Sequence, residues 1–208
     1  MTSVDPETEF ASLLASRLCH DLINPAGALN TGLDVLANET DATMRQHAED
    51  LIQNSTARLL ATIEFARLAY GASGGSEGAL DMAALKDVSE RLYAHLKPEF
   101  HWDITAPSTS KAAGRALLNL LLCGERLAPR KGSSITVSGD GQSFQIVAAG
   151  PRAAVPDDLS AAFRGEAVAP EPKLMPAKLA ARLARSAGLT ISTESGDERV
   201  IVTLSMVD

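Results

Sequence analysis

Residues 13–36 of this 208-residue chain, LLASRLCHDLINPAGALNTGLDVL, carry leucines at the spacing of one helix face. The spacing predicts a long amphipathic helix from Thr8 to Ala37. A turn over residues 38–41 separates it from a second helical pattern that ends at Tyr70, with Thr40 or Asp41 as the expected N-cap. Because the connection is short, the two helices should pack antiparallel. The apolar face of the first helix comprises Leu14, Leu18, Leu22, Leu29, Leu33 and Leu36.

A single helical hairpin has too little interior to bury two apolar faces. The sequence therefore predicts a two-fold homodimer in which two hairpins complete a four-helix bundle. The stretch GASGGSEG, residues 71–78, follows the hairpin, and its glycines and serines disfavour helix and indicate a flexible joint. We accordingly expect a helical dimerisation domain at residues 1–72 and a second domain at residues 79–208.

The second domain mixes helical and strand patterns. Helices are expected over residues 81–96, 110–127 and 173–187, the last beginning at Pro172 or Pro176, and a strand is expected over residues 100–105. Two further pairs of strand patterns flank DGQ and GDE, which are strong hairpin signals. The predicted fold class is α+β: the helical hairpin is followed by a sandwich with helices on one face of a mixed sheet.

Composition and charge narrow the classes of function. A formal net charge of −7 argues against electrostatic binding to nucleic acid or to an anionic membrane surface. The acidic N-terminus does not resemble a signal peptide, and the longest apolar run is far too short to span a bilayer, so we expect a cytoplasmic protein. Cys19 and Cys123 lie far apart and should be reduced. His47, His95 and His101 show no metal-ligand spacing, so no metal site is expected.

His20 lies on the open side of the first predicted helix. At about 100° per residue it falls about 160° from Leu18 and therefore away from the apolar face. The same outward sector is small or polar, so another protein could approach it. Its other members are Ser16, Asn24, Gly27 and Thr31.

The neighbours of His20 suggest chemistry. An exposed imidazole is largely neutral near pH 7, so its free nitrogen can attack an electrophile, and Asp21 could orient the proton on the other nitrogen. Pro25 would remove the hydrogen bond to the carbonyl of Asp21 and bend the helix one turn beyond His20. The simpler interpretation is that His20 is solvated and has no role. The residues beside it favour a chemical role instead.

The segment HDLINP resembles the H-box of sensor histidine kinases, in which an acidic residue follows the histidine and proline comes five residues after it. Residues 13–36 as a whole more closely resemble the first helix of the ChpT-type histidine phosphotransferases of alphaproteobacterial phosphorelays. The hairpin, the joint and the α+β remainder match that family's layout over nearly the entire chain. The resemblance implies that the second domain is a degenerate form of the Bergerat-type ATP-binding domain of kinases.

Three nucleotide-binding motifs of such domains are altered here. In RALLNLLLCGERLAP, Asn119 matches the first asparagine of the kinase N-box, but Cys123 stands where the Mg²⁺-binding asparagine is expected, and a neutral thiol is a poor ligand for that cation. In AAGPR, Ala148 replaces the aspartate that recognises adenine and Arg152 replaces a glycine. The segment LMPAK, beginning at Leu174, has no glycine to let backbone approach a phosphate. We therefore expect no bound nucleotide and a domain that serves as a docking platform.

The resemblance implies a phosphorelay function centred on His20. Its imidazole would accept a phosphoryl group from the receiver domain of a CckA-like hybrid kinase and pass it to CtrA-like and CpdR-like response regulators. The receiver would supply Mg²⁺, and this chain would need no cofactor of its own. Asn24 would hydrogen-bond the phosphoryl group or a nearby water, or simply be solvated.

Other residues of the first helix are possible contacts to the phosphoryl group or the receiver. Arg17 either pairs with the phosphoryl charge or lies over the bundle. Ser16, Gly27 and Thr31 belong to the same outward sector. Three alternative functions remain open: an autophosphorylating kinase, a receiver-directed phosphatase in which Asn24 positions water, and a non-catalytic scaffold.

Overall fold

In the computed structural model of the protein, two long antiparallel helices form the amino-terminal hairpin. Helix α1 spans Pro6–Asn38 and helix α2 spans Ala42–Ala69. Each helix begins after an aspartate whose carboxylate accepts a hydrogen bond from the backbone N–H three residues on, Asp5 for α1 and Asp41 for α2. The predicted hairpin and the Asp41 cap are therefore confirmed.

The two helices of the hairpin approach closely but bury little. Helix α1 runs unbroken through Pro25, which is buried, and a Cβ at Gly32 would lie only 2.7 Å from a side-chain carbon of Ile52. Leu33, on the predicted apolar face, is 51% exposed in the single chain, because one groove between two helices cannot cover both apolar faces. Six large apolar side chains of the hairpin are exposed in the single chain: Ile23, Leu33, Met44, Leu51, Leu60 and Ile63.

The second domain contains five further helices and seven strands within its described residues. The helices are α3 (Met82–Tyr93), α4 (Lys111–Leu121), α5 (Gly124–Leu127), α6 (Asp157–Phe163) and α7 (Met175–Ser186). The strands are β1 (Ala79–Asp81), β2 (Glu99–Ile104), β3 (Ser108–Ser110), β4 (Ser134–Gly139), β5 (Phe144–Ala149), β6 (Leu189–Gly196) and β7 (Arg199–Met206).

Five of these strands form a mixed sheet in the order β2-β4-β5-β7-β6. The pair β2 and β4 is parallel and the other pairs are antiparallel, which includes both predicted hairpins. Alternate residues of β5, such as Phe144 and Ile146, are buried, and the core also holds the leucines of α4 and the alanines of α7. The α+β fold is therefore confirmed.

Three local features differ from the sequence predictions. Strands β1 and β3 pair as a small separate sheet that was not predicted. The helix expected over residues 110–127 is divided into α4 and α5, and the Tyr93 hydroxyl donates to the carbonyl of Leu121 at the division. The last helix, α7, begins after a 3-10 turn at Pro172–Leu174 rather than at Lys173.

The hairpin packs directly on the second domain. Phe65 and Ala69 of α2 are fully buried and belong to the same apolar core as Leu85 of α3 and Leu118 of α4. The structure describes residues 5–71 and 78–206, so most of the predicted joint lies outside the described residues. Within those two ranges, the chain forms no helix that is both long and apolar enough to cross a bilayer.

Candidate functional site

His20 lies midway along α1 with 70% of its side chain exposed. The residues that the helical pattern placed on the same open strip are all exposed: Ser16, Asn24, Gly27 and Thr31. Ile23 is also 65% exposed, one turn beyond His20. Sequence reasoning missed Ile23, although the same helical angles place it near the histidine. The reactive ring therefore stands on an accessible surface that includes one large apolar side chain.

The carboxylate of Asp21 has a stronger partner than His20. Arg17 Nε donates to Asp21 Oδ2 at 2.8 Å, whereas His20 Nδ1 lies 3.6 Å from Asp21 Oδ1, which is too long for a hydrogen bond. The i,i+4 spacing of Arg17 and Asp21 on the helix directs the guanidinium to that carboxylate, a partner that the sequence analysis did not assign to it. One oxygen of the carboxylate thus binds the guanidinium, and the other faces the imidazole without a hydrogen bond to it.

A cavity of about 90 Å³ lies beside this ion pair, where α1 and α2 meet the second domain. Arg17 and Asp21 line it and are each only 22% exposed. Tyr70, at the end of α2, also lines it, and burial together with the nearby negative charge of Asp21 raises the pKa of its hydroxyl. Second-domain side chains complete the wall: Leu92, Leu96, Leu122 and Glu125. The ion pair is therefore sheltered while the imidazole remains open.

Asn119, which the sequence analysis matched to the first asparagine of the kinase N-box, is fully buried and contacts the hairpin. Its side-chain Nδ2 donates to the carbonyl of Ala69 and to that of Arg115, each at 2.9 Å. Arg115 in turn donates from Nη2 to the carbonyl of Tyr70 at 3.0 Å. Two side chains of α4 thus satisfy carbonyls at the C-terminus of α2. No signal in the sequence distinguished this use of Asn119 from a role in nucleotide binding.

The altered position in the same motif is also buried. Cys123 is 1% exposed, and burial raises the pKa of its thiol to about 12, so the sulfur is protonated at neutral pH. The thiol lies 3.5 Å from the carbonyl of Asn119. Across residues 5–71 and 78–206, no three His, Cys, Asp or Glu side chains are grouped to hold a metal ion.

The two other altered motifs lie against the core. Ala148 of β5 is fully buried. Arg152 adopts φ of +64°, a conformation that glycine adopts more readily. Leu174 and Met175 are also fully buried, so apolar side chains occupy the segment where the sequence analysis placed a phosphate loop.

Comparisons with known proteins give matches over both parts of the chain. Residues 82–199 match the family model for the histidine phosphotransferase C-terminal domain. Over 125 residues the chain is 36% identical to the protein phosphotransferase ChpT of Brucella abortus (strain 2308), a match that covers 60% of this chain and 58% of that protein. A 1.7 Å structure of a bacterial phosphotransferase matches 98% of both chains, with 30% identity and a TM-score of 0.85.

Proposed function

The chain belongs to the histidine phosphotransferase family, and we propose that it relays a phosphoryl group between receiver domains as phosphohistidine at His20. The observation that carries the proposal is the exposed imidazole, whose Nδ1 faces the Asp21 carboxylate. Nε2, on the opposite side of the ring, is then free to attack an incoming phosphoryl group.

The transfer step requires mainly that the His20 imidazole be placed against the phosphoryl group, and it needs few further catalytic groups on this chain. A receiver bearing phosphoaspartate docks on the open strip of α1, and Ile23 provides an apolar contact beside His20. The Nε2 lone pair attacks phosphorus in line as the bond to the receiver's aspartate breaks. Mg²⁺ would be held by the receiver, and no cofactor is assigned to this chain. A second receiver reverses the same chemistry.

The proposed relay does not involve ATP. Support comes from the buried Ala148 and Leu174, which offer no polar group for a base or a phosphate, and from the Cys123 thiol in place of a magnesium ligand. Incubation with radiolabelled ATP and Mg²⁺ alone should leave the protein unlabelled. Phosphohistidine formed under those conditions would instead establish an autophosphorylating kinase.

The proposed partners are those implied by the family resemblance. A CckA-like hybrid kinase receiver would donate the phosphoryl group, and CtrA-like and CpdR-like regulators would accept it. The proposed active form is a homodimer in which a second copy covers the exposed apolar side chains of the hairpin, such as Leu33 and Leu60. Analytical ultracentrifugation should therefore give twice the chain mass.

The decisive test follows the label from a phosphorylated receiver to this protein and on to a second receiver. Wild type and the His47→Ala variant, which alters another exposed histidine, should both become labelled and pass the label on. The His20→Ala variant should do neither. Transfer by the His20→Ala variant would refute the proposal, and free phosphate released without labelled His20 would indicate a phosphatase in which Asn24 orients water.

A further inference from the structure

The Arg17–Asp21 ion pair connects the reactive histidine to the sheltered junction between the hairpin and the second domain. We infer that Arg17 is a positioning residue for phosphotransfer, one that fixes the Asp21 carboxylate so that its second oxygen faces His20. This inference rests on the proposed relay function. It gives Arg17 a role through Asp21 rather than through the phosphoryl group.

The contact with Arg17 fixes the direction of the Asp21 carboxylate. A solvated aspartate on a helix rotates about its side-chain bonds, so its oxygens have no fixed direction. Here Arg17 Nε binds Oδ2 at 2.8 Å, and this contact leaves Oδ1 at 3.6 Å from His20 Nδ1. A guanidinium donates in a fixed plane, so it restrains the carboxylate in orientation as well as in position.

Partial burial strengthens the ion pair between Arg17 and Asp21. An exposed ion pair contributes little because water screens it and its long side chains remain mobile. Arg17 and Asp21 are each 22% exposed, and Leu92 and Leu96 of the second domain line the same cavity as they do. The lower local polarity strengthens the pair relative to one on an open helix. The second domain thereby contributes to the order of a group beside His20.

The position of the Asp21 carboxylate matters because positive charge develops on the imidazole ring of His20 during transfer. As Nε2 bonds to phosphorus, the electrons of the breaking P–O bond leave on the receiver's aspartate, and the imidazole ring becomes positively charged while it retains its Nδ1 proton. Asp21 Oδ1 faces that proton and stabilises the cation.

A double-mutant cycle tests this dependence on Asp21. With saturating phosphorylated receiver, the Arg17→Ala variant should transfer about tenfold more slowly than wild type, equivalent to about 1.4 kcal/mol. In an Asp21→Asn background the same substitution should change the rate less than about twofold, because the group that Arg17 holds is already altered. The Arg67→Ala variant, which removes an exposed arginine of α2, serves as the matched control.

The dependence of the transfer rate on receiver concentration supplies a readout that separates positioning from receiver binding. Arg17→Ala should lower the rate at saturating receiver and leave unchanged the receiver concentration that gives half of that rate, whereas Arg17→Lys should restore part of the rate. Arg58 of α2, Tyr70 and Glu125 of α5 are the other titratable side chains that line the cavity, and they are unchanged in these variants.

Two results would overturn the inference while the relay function stands. The first is an Arg17→Ala variant with the wild-type rate at saturating receiver. The second is an equal loss in the wild-type and Asp21→Asn backgrounds, which would mean that Arg17 acts directly on the phosphoryl group or the receiver. If Arg17→Ala does not fold, Arg17→Gln gives the same comparison. Transfer by His20→Ala would refute the relay itself and is a separate outcome.

Discussion

Substitution of Asn119 by alanine should weaken the attachment of the hairpin to the second domain. The amide donates to two carbonyls, but these are not equivalent. The Arg115 carbonyl keeps its partner within α4, whereas the Ala69 carbonyl belongs to the last turn of α2, where helical partners are lacking. Leaving that carbonyl unpaired in a buried setting costs about 1–3 kcal/mol, so we expect the free energy of unfolding to fall by about 2 kcal/mol.

Urea denaturation measures this loss directly. The only tryptophan, Trp102 on β2, reports the second domain by fluorescence, and far-UV circular dichroism reports the helices of the hairpin. Ser89→Ala is the matched control, because the buried Ser89 hydroxyl bonds only to the Leu85 carbonyl of its own helix, which keeps its helical partner. A loss below about 0.5 kcal/mol for Asn119→Ala, or equal losses for both variants, would refute the argument.

Three further outcomes follow from the structure. A thiol reagent at mildly alkaline pH should modify the exposed Cys19 in the native protein and Cys123 only after unfolding, since Cys123 is buried with a raised pKa; equal rates would contradict this. Cys123→Asn should cost about 1–3 kcal/mol in a denaturation experiment because it buries an amide, and it should give no calorimetric signal with ATP and Mg²⁺, whereas a nucleotide complex would mean that a single residue disables the site. Ile23→Asp should weaken calorimetric binding of a receiver at least tenfold while stability stays within about 0.5 kcal/mol; unchanged binding, or an equal effect of Ala37→Asp at another exposed position of α1, would exclude a specific contact.

The long elements were predictable because their signals are local. The leucine repeat of α1, the aspartate cap of α2 and the DGQ and GDE turns each act within a few residues. Strands β1 and β3 have only three residues each, too few to show an alternating pattern. The division between α4 and α5 involves Tyr93, a hydroxyl 28 residues earlier in the chain, and no local pattern reveals such a contact.

The site shows the same division between local and distant information. Helical angles predicted that His20 lies on an open face. The i,i+4 spacing of Arg17 and Asp21 is typical of an ion pair, although the same spacing does not exclude a phosphoryl group as the partner of Arg17. The shelter around that pair could not be predicted. It depends on Leu92 of α3 and Glu125 of α5, which line the same cavity as the pair, and their placement there follows from tertiary packing.

The contacts of α4 with the hairpin give the second domain a structural role in a protein for which no ATP chemistry is proposed. A side chain that binds a nucleotide must face a cleft, whereas Asn119 and Arg115 face the carbonyl end of α2 and hold it. A proposed relay histidine has opposite needs on two sides: an open face for each receiver, and fixed neighbours that set its charge. Helix α1 provides the open face without a contribution from the second domain. Leu92 and Glu125 of the second domain shelter the Arg17–Asp21 pair, so a hairpin detached from that domain should keep the nucleophile of His20 but leave the ion pair more exposed to solvent and weaker.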